Sequence, residues 1–367
     1  MKNHNLSDLN KSVIQAHIFF NKGWKNMNIF HVKILCLFII LQIFLNNFCF
    51  NNYIHAKILT VDNKIPYSGQ YTTLQEAHDN ANNDDIIYLS PSPIRYEGII
   101  MTKRLSIYGV GFDLKNSLDH SPYLILTAAI GNTLTYDEGS DGSIIDGIEG
   151  NFKVIIQASN ISIRRSRLDS LNISKSNLSG ITLINNYLYK IYNNYSNSEL
   201  YLLNNIIEFY GGYYNHAIYI SGNNNCIVIL NNIILSDVPF WFNSNSNVFL
   251  SNNIIYTRNN TATDCRYGNF EYNLFVNTSL NNSISNTNIK VENIDDIFQD
   301  FENKNYHLKD NSLAIGSGKN GEDTGIYGGD NPFNDFGFPN LPTILSIDSS
   351  FVSSKNGLHV VIKAKSN

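Results

Sequence analysis

Residues 227–234, Ile227-Val228-Ile229-Leu230-Asn231-Asn232-Ile233-Ile234, decide how this chain is read. An apolar strand runs into an Asn doublet, and a second apolar run follows. Variants of the unit begin at Ile161, Ile181, Leu200, Val248 and Gly268. The fifth residues are Arg165, Asn185, Asn204, Asn231, Asn252 and Tyr272, spaced by 20, 19, 27, 21 and 20. A period this short, carried by strand-forming residues, marks a solenoid that adds one turn per repeat.

The columns say which kind. Position three reads Ile163, Leu183, Leu202, Ile229, Leu250 and Phe270, and position eight reads Leu168, Leu188, Ile207, Ile234, Ile255 and Phe275. Both are apolar throughout, and positions one and three alternate with variable residues, the period of a strand with one buried face. Asn tolerates the left-handed backbone that a sharp bend demands. Amides stacked at ~4.8 Å between turns also hydrogen-bond to one another, so Asn204, Asn231 and Asn252 are expected to form a ladder. Asn is 57 of the 367 residues, so chance doublets are common. Chance does not set them repeatedly in register between two apolar columns. The reading is all-β: a single-stranded parallel β-helix, right-handed by the usual crossover rule.

The whole chain excludes several classes. Formal net charge is -5 with 16% charged residues, and no basic cluster exceeds Arg164-Arg165-Ser166-Arg167, so no nucleic-acid partner is expected. Four Cys do not make a disulfide scaffold. Cys226 and Cys265 belong to coils two apart, farther than the ~7 Å a bridge tolerates, so no bond between them is expected.

Residues 34–45 form an apolar run preceded by His31 and Lys33. The run is short for a membrane span but suits the core of a secretory signal, with a loose cleavage site at Ile54-His55-Ala56. Met27 is an alternative start. The protein is therefore expected to be exported, secreted or in the cell envelope. A retained anchor over residues 34–50 is the alternative and the one expected membrane contact. Residues 1–56 are assigned to this extension, 57–331 to the solenoid, and 332–367 to a linker and short β tail.

A family resemblance enters at the start of the solenoid. Tyr71-Thr72-Thr73-Leu74-Gln75-Glu76-Ala77, then Asn83-Asp84-Asp85-Ile86-Ile87-Tyr88-Leu89, Tyr96-Glu97-Gly98 and Lys103-Arg104-Leu105-Ser106-Ile107-Tyr108-Gly109 resemble the opening of the pectate-lyase-like right-handed β-helix superfamily. The resemblance implies a short helix capping the first coil, and a closing coil near Tyr306–Gly329. Physical chemistry agrees about the helix: Thr72-Thr73 can cap it, and Leu74, Ala77 and Ala81 recur at helical spacing. Residues 277–305 lose the period and read as a polar loop.

That superfamily holds lyases, hydrolases, esterases and adhesins, so fold alone selects no chemistry. A polysaccharide lyase needs a base and positive charge against a carboxylate. The candidates are Arg164, Arg165 and Arg167, with Asp141, Asp146 and Glu149 as possible metal oxygens and calcium as the possible cation; no other cofactor is expected. Asp146 lies 19 residues before Arg165, so an ion pair across coils explains both. Binding residues are sought instead among aromatics. The 27-residue spacing marks an inserted loop containing Tyr210, Tyr213, Tyr214 and His216, and the next coil carries Trp241. Rings beside amides suit sugar faces and hydroxyls. The expected function is binding of polysaccharide or another envelope polymer, with no catalytic residue assigned. A structural or adhesive solenoid is one alternative and a polysaccharide lyase the other.

Overall fold

The computed structural model describes residues 56–113, 126–211, 216–260, 263, 266–280, 285–339, 343–353 and 357–365. The chain divides into Met1–His55 and Ala56–Asn367, and only the second unit is described. The expected signal segment, Tyr213, Tyr214 and Cys265 lie outside the described residues.

The described unit is a parallel β-helix. Between the two ends, each coil gives one strand to a first sheet of ten and one or two to a second sheet of twelve. Cys226–Leu230 shows the stacking, pairing in parallel with Glu199–Leu203 below and Asn247–Ser251 above. Ile229 lies between Leu202 and Leu250, so identical columns meet at every step. After the bend, Ile233–Ser236 pairs with Ile206–Phe209 and Ile254–Tyr256 in the second sheet. Positions one, three and eight point inward and fill one continuous core in which most of them have no exposed surface. The end is capped by helix Leu74–Asn80. Thr73 accepts from the Glu76 backbone while Glu76 reaches back to Thr73 N, and Leu74 and Ala77 are buried.

The doublet divides its labour differently from the sequence-based expectation. All six fifth-position residues have positive φ, from 42° at Arg165 to 60° at Asn185. They make the bend, and their side chains leave the solenoid. The ladder belongs to the sixth column. Asn186, Asn205, Asn232 and Asn253 each donate a side-chain N–H to the amide oxygen of the next, and Asn253 donates to Asn273. The expected ladder through Asn204, Asn231 and Asn252 is therefore one residue out of place.

Two further expectations change. The 277–305 stretch is not all loop: Ile289–Val291 adds one more parallel strand, and Asn288 accepts from Asn273 to extend the ladder. Residues 306–329 do not close the solenoid as a coil. Asn305–Leu308 pairs antiparallel with Phe298–Asp300, and the chain then runs back along the bend column. The outward amides hold it: Asn252 Oδ1 accepts from Lys319 N, Asn204 donates to Ile326 O and Gly328 O, and Asn185 donates to Asn331 O. This return strap explains the first Ile of Asn-Asn-Ile-Ile. Position seven faces outward, yet Ile206, Ile233, Ile254 and Leu274 are buried in a second cluster with Ile326 and Phe333. Beyond the strap, Thr343–Ser353 and Gly357–Lys365 form an antiparallel hairpin.

Candidate functional site

A groove of about 630 Å³ opens on the early coils. Its lining comes from five successive turns: Arg95, Ala129, Glu149 with Asn151, Arg167, and Tyr187 with Tyr189. The solenoid sets these residues in a row because each coil repeats the previous one one strand spacing higher. Tyr189 is 52% exposed. Tyr187 is fixed among cations. The Arg167 guanidinium lies 4.8 Å from its ring centroid, and Lys304 Nζ lies 5.3 Å away while donating to the Tyr187 hydroxyl at 2.8 Å and to Glu208 at 2.7 Å. Arg167 thus enters the groove on a rigid aromatic support.

The structure separates the three arginines. Arg164 stands on the first sheet, where its Nε donates to Ser162 Oγ at 2.7 Å. Arg165 pairs through two N–H groups with Asp146, which is 2% exposed. Burial raises the Asp146 carboxyl above the usual range, while the Arg165 guanidinium pulls it back down. Arg167 alone reaches the groove. The possible metal oxygens are also apart: Asp141 accepts from Ser159 N, Asp146 is committed to Arg165, and Glu149 lines the groove. Among the described residues no three His, Cys, Asp or Glu side chains are grouped to hold a metal ion.

The aromatic candidates divide as well. Tyr210 lies under Arg258, 3.8 Å from its guanidinium carbon, and packs against the cluster beneath the strap. Burial pushes its hydroxyl well above the ordinary tyrosine range. Trp241 and His216 do meet, through a residue that the repeat did not reveal. Tyr192, Tyr219 and Trp241 occupy one outward column, with centroids 4.9 and 5.0 Å apart. His216 lies 5.7 Å from Tyr219, and burial lowers its pKa. In such a stack both faces of Tyr219 are covered by its neighbours. The column therefore first reinforces the sheet, leaving Trp241, 39% exposed, as its accessible ring.

No protein-family model matches this chain, and no curated protein matches it. Among the described residues no helix is long and apolar enough to cross a membrane.

Proposed function

We propose that this chain is an exported protein that binds an extended polysaccharide along the groove between Arg95 and Tyr189. One observation carries the reading: the groove crosses five successive coils and combines an exposed ring with Arg95, Arg167, Glu149 and Asn151. Four coil spacings of ~4.8 Å give an elongated seat of ~19 Å, suited to a chain rather than a compact ligand. Tyr189 offers a face for the apolar side of a sugar ring, and the Arg, Glu and Asn side chains offer donors and acceptors for hydroxyls. The opening resemblance and the apolar run at 34–45 are what support a place outside the cytoplasm. The sites proposed at Tyr210, Tyr213, Tyr214, His216 and Trp241 become secondary, with Trp241 and His216 as an outlying patch.

Affinity electrophoresis against neutral and acidic glycans tests this. Tyr189→Ala and Arg167→Ala should each weaken retardation about tenfold, equivalent to ~1.4 kcal/mol, while Trp241→Ala should change it less. Retardation by no glycan, or retardation indifferent to both groove variants, would end the proposal. A structural solenoid is the second reading, and the mutually covered rings of Tyr192, Tyr219 and Trp241 favour it. No elimination step is assigned, since Arg164 and Arg167 stand on different sheets and Arg165 is paired. Polygalacturonate and alginate should yield no unsaturated product, with or without calcium. A rise in ultraviolet absorbance abolished by Arg167→Ala would establish the lyase instead.

A further inference from the structure

The outer face of the first sheet carries an apolar patch between two opposite charges. Parallel sheets are ordinarily covered on both faces. Here the outward positions of the central strands form two neighbouring columns. One reads Tyr201, Val228 and Phe249, and the other Ile184, Leu203 and Leu230. All six are half-buried. The second column continues to Arg164 at one end, and through Ser251 to Glu271 at the other. Neither charge forms an ion pair among the described residues: Arg164 donates to Ser162, and Glu271 accepts from Asn269.

We propose that this face is the interface with a second copy of the chain, packed sheet on sheet about a two-fold axis parallel to the strands. The arrangement of charge places the axis. Arg164 lies two strands below Glu199–Leu203, and Glu271 lies two strands above Cys226–Leu230. An axis between those two central strands reverses the coil order of the second copy and keeps each column opposite itself. Leu203 then meets Leu230 of the second copy, and Arg164 of each copy faces Glu271 of the other. The same operation sets the shallow hollow of about 470 Å³ beside Val228 and Phe249 opposite the Tyr201 ring. An apolar centre with a complementary charge at each end is what a self-matched interface requires. With the axis between Glu199–Leu203 and Cys226–Leu230, six strands of each copy overlap, from Ser162–Arg164 to Asn269–Glu271. At ~4.8 Å each and a width of ~14 Å they make a projected patch of ~400 Å². That is smaller than the ~800 Å² of accessible area per partner in a standard pair, so the match of charges rather than area carries the pairing. The face lies on the other sheet from the groove, so pairing leaves the groove open.

Sedimentation of the purified chain, with circular dichroism to verify folding, tests the proposal. The chain should sediment as a dimer at micromolar concentration. Leu203→Arg should make it a monomer. Glu271→Arg should weaken the dimer about tenfold or more by placing like charges together, and adding Arg164→Glu should restore it to within about threefold. Both charged positions are at the surface, so this cycle remains informative if Leu203→Arg fails to fold. A monomer at every concentration, a dimer indifferent to Leu203→Arg in a folded protein, or a double reversal no better than Glu271→Arg alone would each overturn it.

Discussion

Asn231 and Asn232 are adjacent, chemically identical and put to opposite uses. Asn231 has φ of 58° and turns its amide outward, where its one bond to the strap, with Gly325 O, is 3.4 Å long. Asn232 turns inward, is 0% exposed, and joins three coils. Its Oδ1 accepts from the backbone and side chain of Asn205, and its Nδ2 donates to Leu202 O, Leu230 O and Asn253 Oδ1. The bend column needs a residue tolerant of the left-handed region. The ladder column needs a donor and an acceptor on one short side chain. Asn meets both demands, so the doublet conceals two separate selections.

The largest test of this difference is Asn232→Leu. It removes every side-chain bond of the residue and leaves Asn205 donors and a strand carbonyl buried without partners. At ~1–3 kcal/mol for each unsatisfied group, the loss should reach ~3–6 kcal/mol, read as a fall in the denaturant midpoint. A cost below ~1 kcal/mol would show that the ladder is ornamental. Asn231→Leu should cost less, ~1–2 kcal/mol, chiefly for a branched side chain at positive φ.

The repeat did carry the information that separates the columns. The fifth column admits Arg165 and Tyr272, whereas the sixth admits only Ser166 beside its asparagines. A residue buried in a ladder cannot become Arg or Tyr, while one that leaves the solenoid can. The core columns at positions three and eight were legible for the same reason, since burial constrains them in every coil. The strap was not legible. Asn185 meets Asn331 across 146 residues of sequence, and residues 311–339 have no period of their own. Position seven, which reads Arg167, Tyr187, Ile206, Ile233, Ile254 and Leu274, accordingly carried no sign of what its four aliphatic residues pack against. Of the candidate groove, Arg167 and Glu149 were visible as single residues. Tyr189 and Arg95 were not, because only coil stacking brings residues 95 and 189 to one surface. The ring column was hidden by loop length: Tyr192, Tyr219 and Trp241 lie 7, 15 and 10 residues after their bend positions.

A smaller effect sharpens the role of the outward amides. Asn204 holds the strap with two bonds of 2.8 Å, to Ile326 O and Gly328 O. Glycine accepts its φ of 52° without penalty, so Asn204→Gly isolates the loss of those bonds. The expected cost is ~1–2 kcal/mol, with faster hydrogen exchange confined to the strap. Asn205→Gly, one residue on, should cost more and loosen neighbouring coils instead. Equal effects from the two glycine variants would erase the distinction between the columns.

The smallest expected effect lies at the end of the bend column where Asn gives way to Arg165. Asp146 is buried beside it, and desolvation raises its pKa even though Arg165 opposes the shift. The raised direction fixes the sign. Between the unfolded value near 3.8 and the higher folded value, the folded chain holds more protons at this site than the unfolded chain. The Asp146 contribution is therefore fully favourable below 3.8, declines as pH rises through that window, and stays constant above it. Asp84 behaves oppositely: its pKa is lowered through its bond with Arg104, so its contribution grows as pH rises. In the wild type the two kinds of carboxylate partly cancel. Asp146→Asn removes the opposing one. The variant loses stability at every pH because Arg165, itself largely buried, loses its counter-charge. Its gain in stability from acid to neutral pH should nevertheless be steeper than that of the wild type. Denaturant midpoints measured for both proteins from pH 3 to pH 7 give the two slopes. A shallower slope in Asp146→Asn would mean that the guanidinium outweighs burial, and that the bend column ends in an ion pair which stabilises the fold more as pH rises.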